Sequence, residues 1–442
     1  MSREILIQTQ KGERLVAIVD RGRVDDFHIE VDRYQSLLGN IYKGRVESIL
    51  PSINAAFVNI GQERNGFLYL TDAANPLLEE EKAPEKPTKI LDKIFKRKEE
   101  EVKPKKTQRK PRHKKDEIPL KVGQEILVQV VKDPFGEKGC RLTTHITLPG
   151  RFVVYMPRDK KSGISRKIEK PEERRRLREV MQEFAFAKQG GYIVRTASMQ
   201  QSKTDLVRDA KVLYTNWLKI GKLSAQEKAP ALIYEEGQLT WKIVRDYLTD
   251  RIDKVVIDSK EDYDKIKKFV QTLIGKEMVS KIHHYKGRKT LFDTKGISKD
   301  LQSIYETNVY VKTGAYVVIE PTEGVCVIDV NSGKFKVKAS PGEAAFMVNM
   351  EVVPEIARQL RLRDLGGIIV IDFIDMTQEI HKRKVVDALR RALTRDHAKT
   401  EVYRISPLGL VEMTRARTGK TVESISFKKC TYCEGRGRIK LA

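Results

Sequence analysis

Apolar and polar positions alternate over most of the first 144 residues, a pattern typical of antiparallel strands. The opening stretch EILIQTQKGERLVAIVDRGRVDDFHIE predicts a piece of sheet with tight turns at its glycines. Short strands broken by Gly, Pro and Asn follow in GNIYKGRVESILPSINAAFVNIGQERNGFLYL and resume in VGQEILVQVVKD and RLTTHITLPG. We therefore predict a small β-barrel over residues 36–144, preceded by a sheet fragment over residues 1–35.

A segment of different composition interrupts this barrel pattern. Residues 79–117 are rich in Lys, Glu and Pro. Such a segment cannot bury enough apolar surface to fold alone, so it predicts a disordered basic insertion within the barrel.

The rest of the chain alternates strand and helix patterns. Residues 145–240 predict an α+β region, and residues 241–304 predict elements that complete the sheet begun at the N-terminus. Residues 305–426 combine a strand meander, two amphipathic helices and the apolar strand GGIIVIDFI, which predicts an α/β layer.

The net charge of the chain indicates which class of molecule it binds. The 442 residues, enough for two to four domains, carry 85 Lys and Arg against 61 Asp and Glu, a net charge of +24. This balance predicts a polyanionic partner, and nucleic acid is the leading class of such partners.

No apolar run approaches the roughly 20 residues of a membrane-spanning helix, so we expect a soluble, cytoplasmic protein. Four cysteines are too few for a disulfide scaffold and indicate a reducing compartment.

Two apolar strands each carry an acidic side chain. Asp329 and Asn331 in VCVIDVN share one face of a strand, because side chains two apart point the same way. Asp372 lies at the carboxyl end of the second strand. If the strands are neighbours, these oxygens suit Mg²⁺ or Mn²⁺; otherwise each Asp satisfies a turn or a helix cap. We predict that Asp375 caps the following helix.

The C-terminal tail contains a Cys-x-x-Cys pair, Cys430 and Cys433. Two thiolates are half of a structural zinc site, so a second chain would supply the other two; a redox pair is the alternative. Cys140 and Cys326 stand alone in apolar strands and predict core positions.

Other side chains are suited to contacts with a nucleic acid. Phe57 and Phe67, with Lys138 near them in the barrel pattern, predict a surface for stacked bases; core positions for both rings are the alternative. Arg195 and Thr196, where a strand meets a polar turn, suit a phosphate or are ordinary surface residues.

Two apparent motifs carry less weight. RTGKTVES has Thr414 where a phosphate-binding loop requires Gly, so no nucleoside triphosphate site is predicted. The adjacent His283 and His284 could act as acid and base in a metal-free nuclease, although their spacing does not require it.

Several of these stretches together resemble the ribonuclease E/G family of bacteria and plastids. The resemblance rests on IDVNSGKF, RLRDLGGIIVIDFIDM, GLVEMTRAR, AAFVNIGQERNGFL and IVRTA and covers nearly the whole chain apart from the insertion. It implies a short, ribonuclease G-like form that acts as a Mg²⁺-dependent endoribonuclease. Such an enzyme cuts single-stranded, A/U-rich RNA, leaves 5′-phosphate and 3′-hydroxyl ends, and is stimulated by a 5′-monophosphate. The expected processes are rRNA and tRNA processing and mRNA decay.

The resemblance also implies a role for each matching residue. Asp329 and Asp372 would hold the magnesium ion, or Mn²⁺ in its place, and Asn331 would orient the site. Cys430 and Cys433 would share one Zn²⁺ with a second chain. The implied RNA contacts are Phe57, Phe67 and Lys138, and the implied 5′-phosphate pocket contains Arg195, Thr196, Gly150, Val154 and Arg166. Lys399 lies where that pocket can have an Arg, which predicts a weaker pocket.

The implied fold is a multidomain α+β chain in which an OB-fold barrel is inserted into a split RNase H-like domain, residues 1–35 and 241–304. A 5′-sensing region, a DNase I-like catalytic domain and a zinc-link over residues 427–442 complete it. We expect a homodimer, and a tetramer is not expected because the chain ends soon after Cys433. The stroma would be the location in a plastid-bearing source. A noncatalytic RNA-binding or scaffold protein is the alternative function.

Overall fold

The fold was analysed in a computed structural model. The structure describes residues 3–32, 36–73, 120–134, 138–159, 161–186, 190–249, 251–322, 324–417, 421–428, 430–433, 435 and 437. The predicted insertion at 79–117 lies outside the described residues. Within these ranges, no helix is both long and apolar enough to cross a membrane.

Strands predominate up to residue 164, and helices alternate with strands from residue 171 onward. In order, the strands are β1 (Arg3–Gln10), β2 (Glu13–Asp20), β3 (Arg23–Val31), β4 (Ile41–Leu50), β5 (Ala55–Asn59), β6 (Gly66–Tyr69), β7 (Glu125–Lys132), β8 (Arg141–Thr143), β9 (Leu148–Pro149), β10 (Val153–Met156), β11 (Gly163–Ile164), β12 (Gly191–Val194), β13 (Ala231–Tyr234), β14 (Lys254–Ile257), β15 (Ile282–His284), β16 (Asn308–Tyr310), β17 (Tyr316–Pro321), β18 (Val325–Asn331), β19 (Gly367–Asp372), β20 (Thr400–Ile405) and β21 (Leu410–Arg415).

The α-helices differ widely in length. They are α1 (Leu70–Ala73), α2 (Pro171–Gln182), α3 (Lys203–Gln226), α4 (Leu239–Tyr247), α5 (Lys260–Phe269), α6 (Leu291–Thr294), α7 (Ser298–Gln302), α8 (Pro341–Leu362), α9 (Glu379–Leu393) and α10 (Val422–Ser426). The chain divides into two compact units, residues 37–236 and residues 1–36 with 237–442.

A closed five-stranded barrel lies in the unit formed by residues 37–236. The strands follow the order β4-β5-β6-β8-β7, and β7 pairs back with β4 to close the ring. Alternate side chains fill the barrel, among them Val46, Ala56, Val58 and Leu68. The structure confirms the small β-barrel that the alternating pattern predicts, and the closed five-stranded ring is consistent with the OB-like domain that the family resemblance implies.

The same unit contains a second, smaller sheet with the order β11-β12-β10-β9. Its buried side chains Val153, Tyr155 and Val194 pack in one core with Leu177 of α2 and Leu206 of α3. Ser202 begins α3 by accepting a hydrogen bond from the backbone N–H of Asp205.

The other unit joins N-terminal strands and two strands from the second half of the chain in one sheet. Strands β1, β2 and β3 form hairpins, and β14 pairs in parallel with β1 to give the order β15-β14-β1-β2-β3. Because both faces are covered, β1 buries Ile5 and Ile7 on one side and Leu6 on the other.

A six-stranded mixed sheet, β16-β17-β18-β19-β21-β20, completes this unit. Val and Ile residues of its central strands pack against α8 and α9. Helix α8 begins with a capping box between Ser340 and Glu343, and Pro341 occupies its first turn. The RNase H-like and DNase I-like assignments of the two sheets stay predictions.

Candidate active site

Two carboxylates stand side by side on the six-stranded sheet. Strands β18 and β19 are parallel neighbours, and Asp329 lies directly opposite Asp372 in their register. Both residues are exposed. The Nδ2 group of Asn331 donates a hydrogen bond of 2.8 Å to Oδ2 of Asp329. The sequence predicts that these three side chains converge if the two strands are neighbours. The structure shows that the strands are neighbours and brings the three side chains together.

The charges at this site repel one another. The pKa of Asp372 lies above its ordinary value because of partial burial and because the carboxylates of Asp329 and Asp375 are close. A positive charge between these groups would offset the repulsion.

Asp375 belongs to this acidic group and does not cap a helix. Helix α9 begins at Glu379, its N-cap residue is Gln378, and no side chain caps its first turn. The prediction that Asp375 caps the helix is therefore wrong. The loop from residue 373 to 378 is longer than a cap requires, and it leaves Asp375 exposed.

A buried asparagine holds the loop that follows Asp372. The side chain of Asn349 on α8 donates to the carbonyl of Ile374 at 2.8 Å and accepts from its N–H at 3.1 Å. Asn349 is fully buried, so these two bonds satisfy its amide inside the core. Sequence reasoning missed it; the available signal was an amide at an otherwise apolar helix position.

The donor set fits a hard divalent cation. Within the described ranges no group of three or more His, Cys, Asp or Glu could hold a metal ion. Asp329 and Asp372 offer two carboxylates with an amide beside them. Magnesium is often held by one or two carboxylates, with water and substrate phosphate completing its shell. The residues present therefore fit Mg²⁺ or Mn²⁺ and do not form an all-protein cage.

An aromatic row lies on the outside of the barrel. Phe57 and Phe67 are cross-strand partners whose ring centroids are 5.8 Å apart. Neither ring belongs to the barrel core, and both are half-buried, so the core alternative does not hold. Tyr69 extends the row 4.8 Å from Phe67, and the guanidinium of Arg141 lies 4.7 Å from the Tyr69 ring.

Sequence reasoning missed Tyr69 and Arg141. Tyr69 stands two residues after Phe67 on the same strand and therefore on the same face, which was a usable signal. Arg141 joins only because β8 pairs with β6, opposite Phe67. Lys138 is exposed just before Gly139, where a Cβ would clash with the carbonyl oxygen of Asn65 in the turn leading into β6.

The residues of the expected 5′-phosphate pocket gather at the small sheet. Nη1 of Arg195 donates to the carbonyl of Gly150 at 2.6 Å, and the Arg195 N–H donates to the carbonyl of Phe152 at 2.8 Å. Val154 on β10 pairs with Ile193 on β12, the strand that ends just before Arg195. Thr196 follows Arg195 directly and is half-buried, and Arg166 is exposed in the turn after β11.

A buried carboxylate that sequence reasoning missed organises this region. Asp209 of α3 accepts from the N–H groups of Arg151, Phe152 and Val153 at 3.2, 2.7 and 3.0 Å. A Cβ at Gly150 would lie 2.5 Å from Oδ2 of Asp209, so the position requires glycine. Burial raises the pKa of Asp209, and the three N–H bonds oppose that shift.

Lys399 belongs to the other unit and pairs with Glu401 at 2.6 Å, with both side chains exposed. Its relation to the 5′-phosphate pocket stays a prediction.

The four cysteines fall into two classes. Cys140 and Cys326 are buried in hydrophobic cores, as predicted, and burial raises the pKa of each thiol to about 11. Cys430 is exposed and Cys433 is partly exposed. The pKa of Cys430 is lowered by the N–H groups of Cys433 and Tyr432 and by the Cys433 side chain. An accessible thiol that deprotonates more readily, beside a second cysteine, suits a soft metal ion.

The adjacent histidines do not form an acid–base pair. His283 and His284 are consecutive residues of β15, so their rings point to opposite faces of the sheet. Nε2 of His284 lies 3.2 Å from the carbonyl oxygen of Asp258, which accounts for one of its ring nitrogens.

Comparison with known proteins agrees with the resemblance. The model of the ribonuclease E/G family matches residues 147–418. Ribonuclease G of Salmonella typhimurium strain SL1344 and of Escherichia coli strain K12 are each 38% identical over 440 residues, covering 100% of this chain and 85% of the relative. Ribonuclease E of Escherichia coli strain K12 is 35% identical over 441 residues, covering 100% of this chain and 39% of the relative. The chain belongs to the ribonuclease E/G family.

Proposed function

We propose that the protein is an endoribonuclease that hydrolyses phosphodiester bonds in single-stranded RNA with a divalent cation at Asp329 and Asp372. The observation that carries this proposal is the direct pairing of the two aspartates on neighbouring parallel strands. Membership of the ribonuclease E/G family and the net charge of +24 support it. A pure RNA-binding module has no use for converging carboxylates, since these repel phosphate.

In this proposal each side chain has a distinct task. Asp329 and Asp372 would hold Mg²⁺, with Mn²⁺ able to replace it. When bound, such a cation acidifies water and stabilises the negative charge that develops on the phosphate. Asn331 fixes the orientation of Asp329, and Asn349 fixes the loop behind Asp372. Attack of water on phosphorus with departure of the 3′ oxygen leaves 5′-phosphate and 3′-hydroxyl ends.

We assign RNA binding to the outer face of the barrel. Phe57 and Phe67 present half-buried rings on which bases can stack, and Lys138 and Arg141 supply positive charge beside them. Stacking is largely independent of base identity, so the expected preference for A/U-rich RNA rests on family likeness alone.

We also propose that the small sheet recognises a 5′-monophosphate through Arg195, Thr196 and Arg166, with Gly150 and Val154 shaping the pocket. Arg195→Ala should reduce the rate advantage of 5′-monophosphorylated over 5′-hydroxyl RNA. Arg175→Ala on α2, which removes another exposed Arg of this unit, is the control. Unchanged discrimination in Arg195→Ala would count against the pocket.

A zinc ion shared by two chains through Cys430 and Cys433 completes the proposal. Cys430→Ser should release zinc, measured by inductively coupled plasma mass spectrometry, and convert a dimer to monomers in sedimentation. The buried thiol of Cys140 provides the control, since Cys140→Ala should retain the metal. A dimer that persists without zinc would refute the shared site, and neither result bears on the cleavage chemistry.

RNA processing and decay in the cytoplasm is the expected setting of this activity. The relatives named above come from bacteria and give no support to the plastid alternative.

The deciding experiment uses a 5′-labelled, single-stranded RNA of mixed sequence. Wild-type and Asp372→Asn protein are compared with Mg²⁺ and with EDTA, and the product ends are resolved. Cutting by wild type alone, with Mg²⁺ alone, and with 5′-phosphate ends supports the proposal. Binding without cutting would favour the noncatalytic scaffold, and cutting in EDTA with 2′,3′-cyclic phosphate ends would favour a metal-free nuclease.

A further inference from the structure

A groove of about 830 Å³ begins at the loop that follows Asp372. Its floor includes Phe373 and Met376, one wall is the first three turns of α9, and the other is the hairpin between β20 and β21. Phe373, the residue directly after Asp372, lines the groove, and so does Asp375. The groove is therefore continuous with the carboxylate pair.

Two cations in the groove make no close ion pair among the described residues, although the carboxylate of Glu379 lies within electrostatic range of Arg383. Lys382 pairs with Glu379 at 2.7 Å and Arg390 with Asp387 at 3.2 Å, so these charges are matched along α9. Arg383 on α9 and Arg404 on β20 line opposite walls and make no ion pair or hydrogen bond with any described residue. Both are exposed.

An apolar turn lies at the open side of the groove. Leu408 is 83% exposed, and it follows the exposed Pro407 at the tip of the hairpin. At this exposure the Leu408 side chain packs little against the described residues around it. An apolar tip beside two unpaired guanidinium groups offers one surface for the face of a base and two groups for its flanking phosphates.

We propose that this groove binds the single-stranded RNA next to the scissile phosphate, with Arg383 and Arg404 on successive phosphates and Leu408 against a base. The inference rests on the proposed ribonuclease function and adds a substrate subsite to it. The position of the groove supports this inference. An RNA strand whose scissile phosphate lies at Asp372 must continue along the protein surface, and the groove begins at the loop that follows Asp372. An acidic protein segment is the rival occupant, and the exposed Leu408 and the continuity with the carboxylates favour RNA.

The test measures RNA affinity without cleavage, in the Asp372→Asn background. The double variant Arg383→Gln/Arg404→Gln removes the two unpaired charges. The matched control, Arg391→Gln/Arg395→Gln, removes two exposed charges outside the groove, one in the last turn of α9 and one just after its end. Each Kd for a 5′-fluorescein-labelled 16-nucleotide RNA is measured by anisotropy from 50 to 300 mM KCl.

Loss of two phosphate contacts should make the slope of log K against log salt shallower by about 1.4, since each contact to a single strand contributes about 0.7. Affinity at 100 mM KCl should fall about tenfold or more, and the control should match the parent. Leu408→Ser should weaken binding with an unchanged salt slope, because it removes a base contact and no charge. In the wild-type background, the double variant should raise KM.

Substrate position gives a second, independent readout. RNAs with one neutral methylphosphonate at successive positions should bind the parent more weakly where that phosphate contacts the groove. The same methylphosphonate substitutions should not weaken RNA binding by the double variant any further. The sensitive positions should lie on one side of the cleaved bond.

The outcomes separate this inference from the proposed function. If the double variant keeps the parent's affinity and salt slope, the groove does not bind RNA, whether or not Asp372→Asn abolishes cleavage. An acidic protein as occupant would give that same result. If Asp372→Asn still cleaves, the proposed mechanism fails even though the groove can still bind RNA.

Discussion

Asp372→Asn is expected to make the metal-free protein more stable while removing its cleavage activity. Adjacent parallel strands are about 4.8 Å apart, so Asp329 and Asp372 carry like charges at close range. At that separation the repulsion is about 0.9 kcal/mol with the dielectric constant of water and about 3.5 kcal/mol with a value of 20. Because both side chains are exposed, we expect a gain near 1 kcal/mol, or about 2–4 °C in Tm.

Divalent cation should reverse the order of the two proteins. Mg²⁺ at ten times its Kd would stabilise the wild type by about 1.4 kcal/mol, whereas the variant lacks one of the two ligands. Thermal unfolding is followed by circular dichroism in EDTA and in a Mg²⁺ series. A high salt concentration should shrink the difference seen in EDTA, because exposed charges are screened.

Glu320→Gln is the matched control for this experiment. Glu320 is an exposed carboxylate on β17 in the same sheet, and its replacement also removes one negative charge. It should leave the Mg²⁺ response unchanged. Equal Tm values in EDTA for Asp372→Asn and wild type, together with equal Mg²⁺ responses, would refute the idea that the carboxylates repel each other and jointly hold a cation.

Three further predictions concern other parts of the chain. Phe67→Leu keeps apolar volume but removes the ring, so RNA affinity measured by anisotropy should fall by about 1–3 kcal/mol; unchanged affinity would exclude stacking there. Gly150→Ala places a Cβ 2.5 Å from Oδ2 of Asp209 and should cost about 1.5–3 kcal/mol in urea unfolding, since at least one hydrogen bond to the carboxylate is lost. Although burial opposes its charge, His28 holds the pKa of Asp26 at about 2, below the ordinary 3.8. Wild type should therefore lose about 2 kcal/mol more than Asp26→Asn as the pH falls from 5 to 2, and parallel pH profiles would contradict this.

The sequence predicted those parts of the fold that depend on local pattern. Alternation of apolar and polar residues located the barrel strands, and the apolar run GGIIVIDFI located β19. Spacing also placed Asp329 and Asn331 on one face. These features depend on neighbours two to four residues apart, which is the range that periodicity reports.

The rest of the site depends on pairings between distant segments. The sequence around Asp329 does not indicate that β19 pairs with β18. Their pairing was an assumption, and the strand register confirms it by placing Asp372 opposite Asp329. Asn349 contacts Ile374 across 25 residues and Asp209 contacts Val153 across 56, so local patterns did not reveal either. Asp375 was misassigned because a carboxylate before a helix is more often a cap than a member of a site.

The parallel pairing of β1 with β14 has a consequence for the order in which the protein folds during synthesis. Glu4 pairs with Lys254, so the first strand emerges from the ribosome 250 residues before its partner. At 5–20 residues per second the hairpins of β1, β2 and β3 would wait about 12–50 s with one apolar edge unpaired, while the barrel can already close. Strands β1–β3 are therefore exposed to misassociation during this interval, and chaperone binding during translation should concentrate on them.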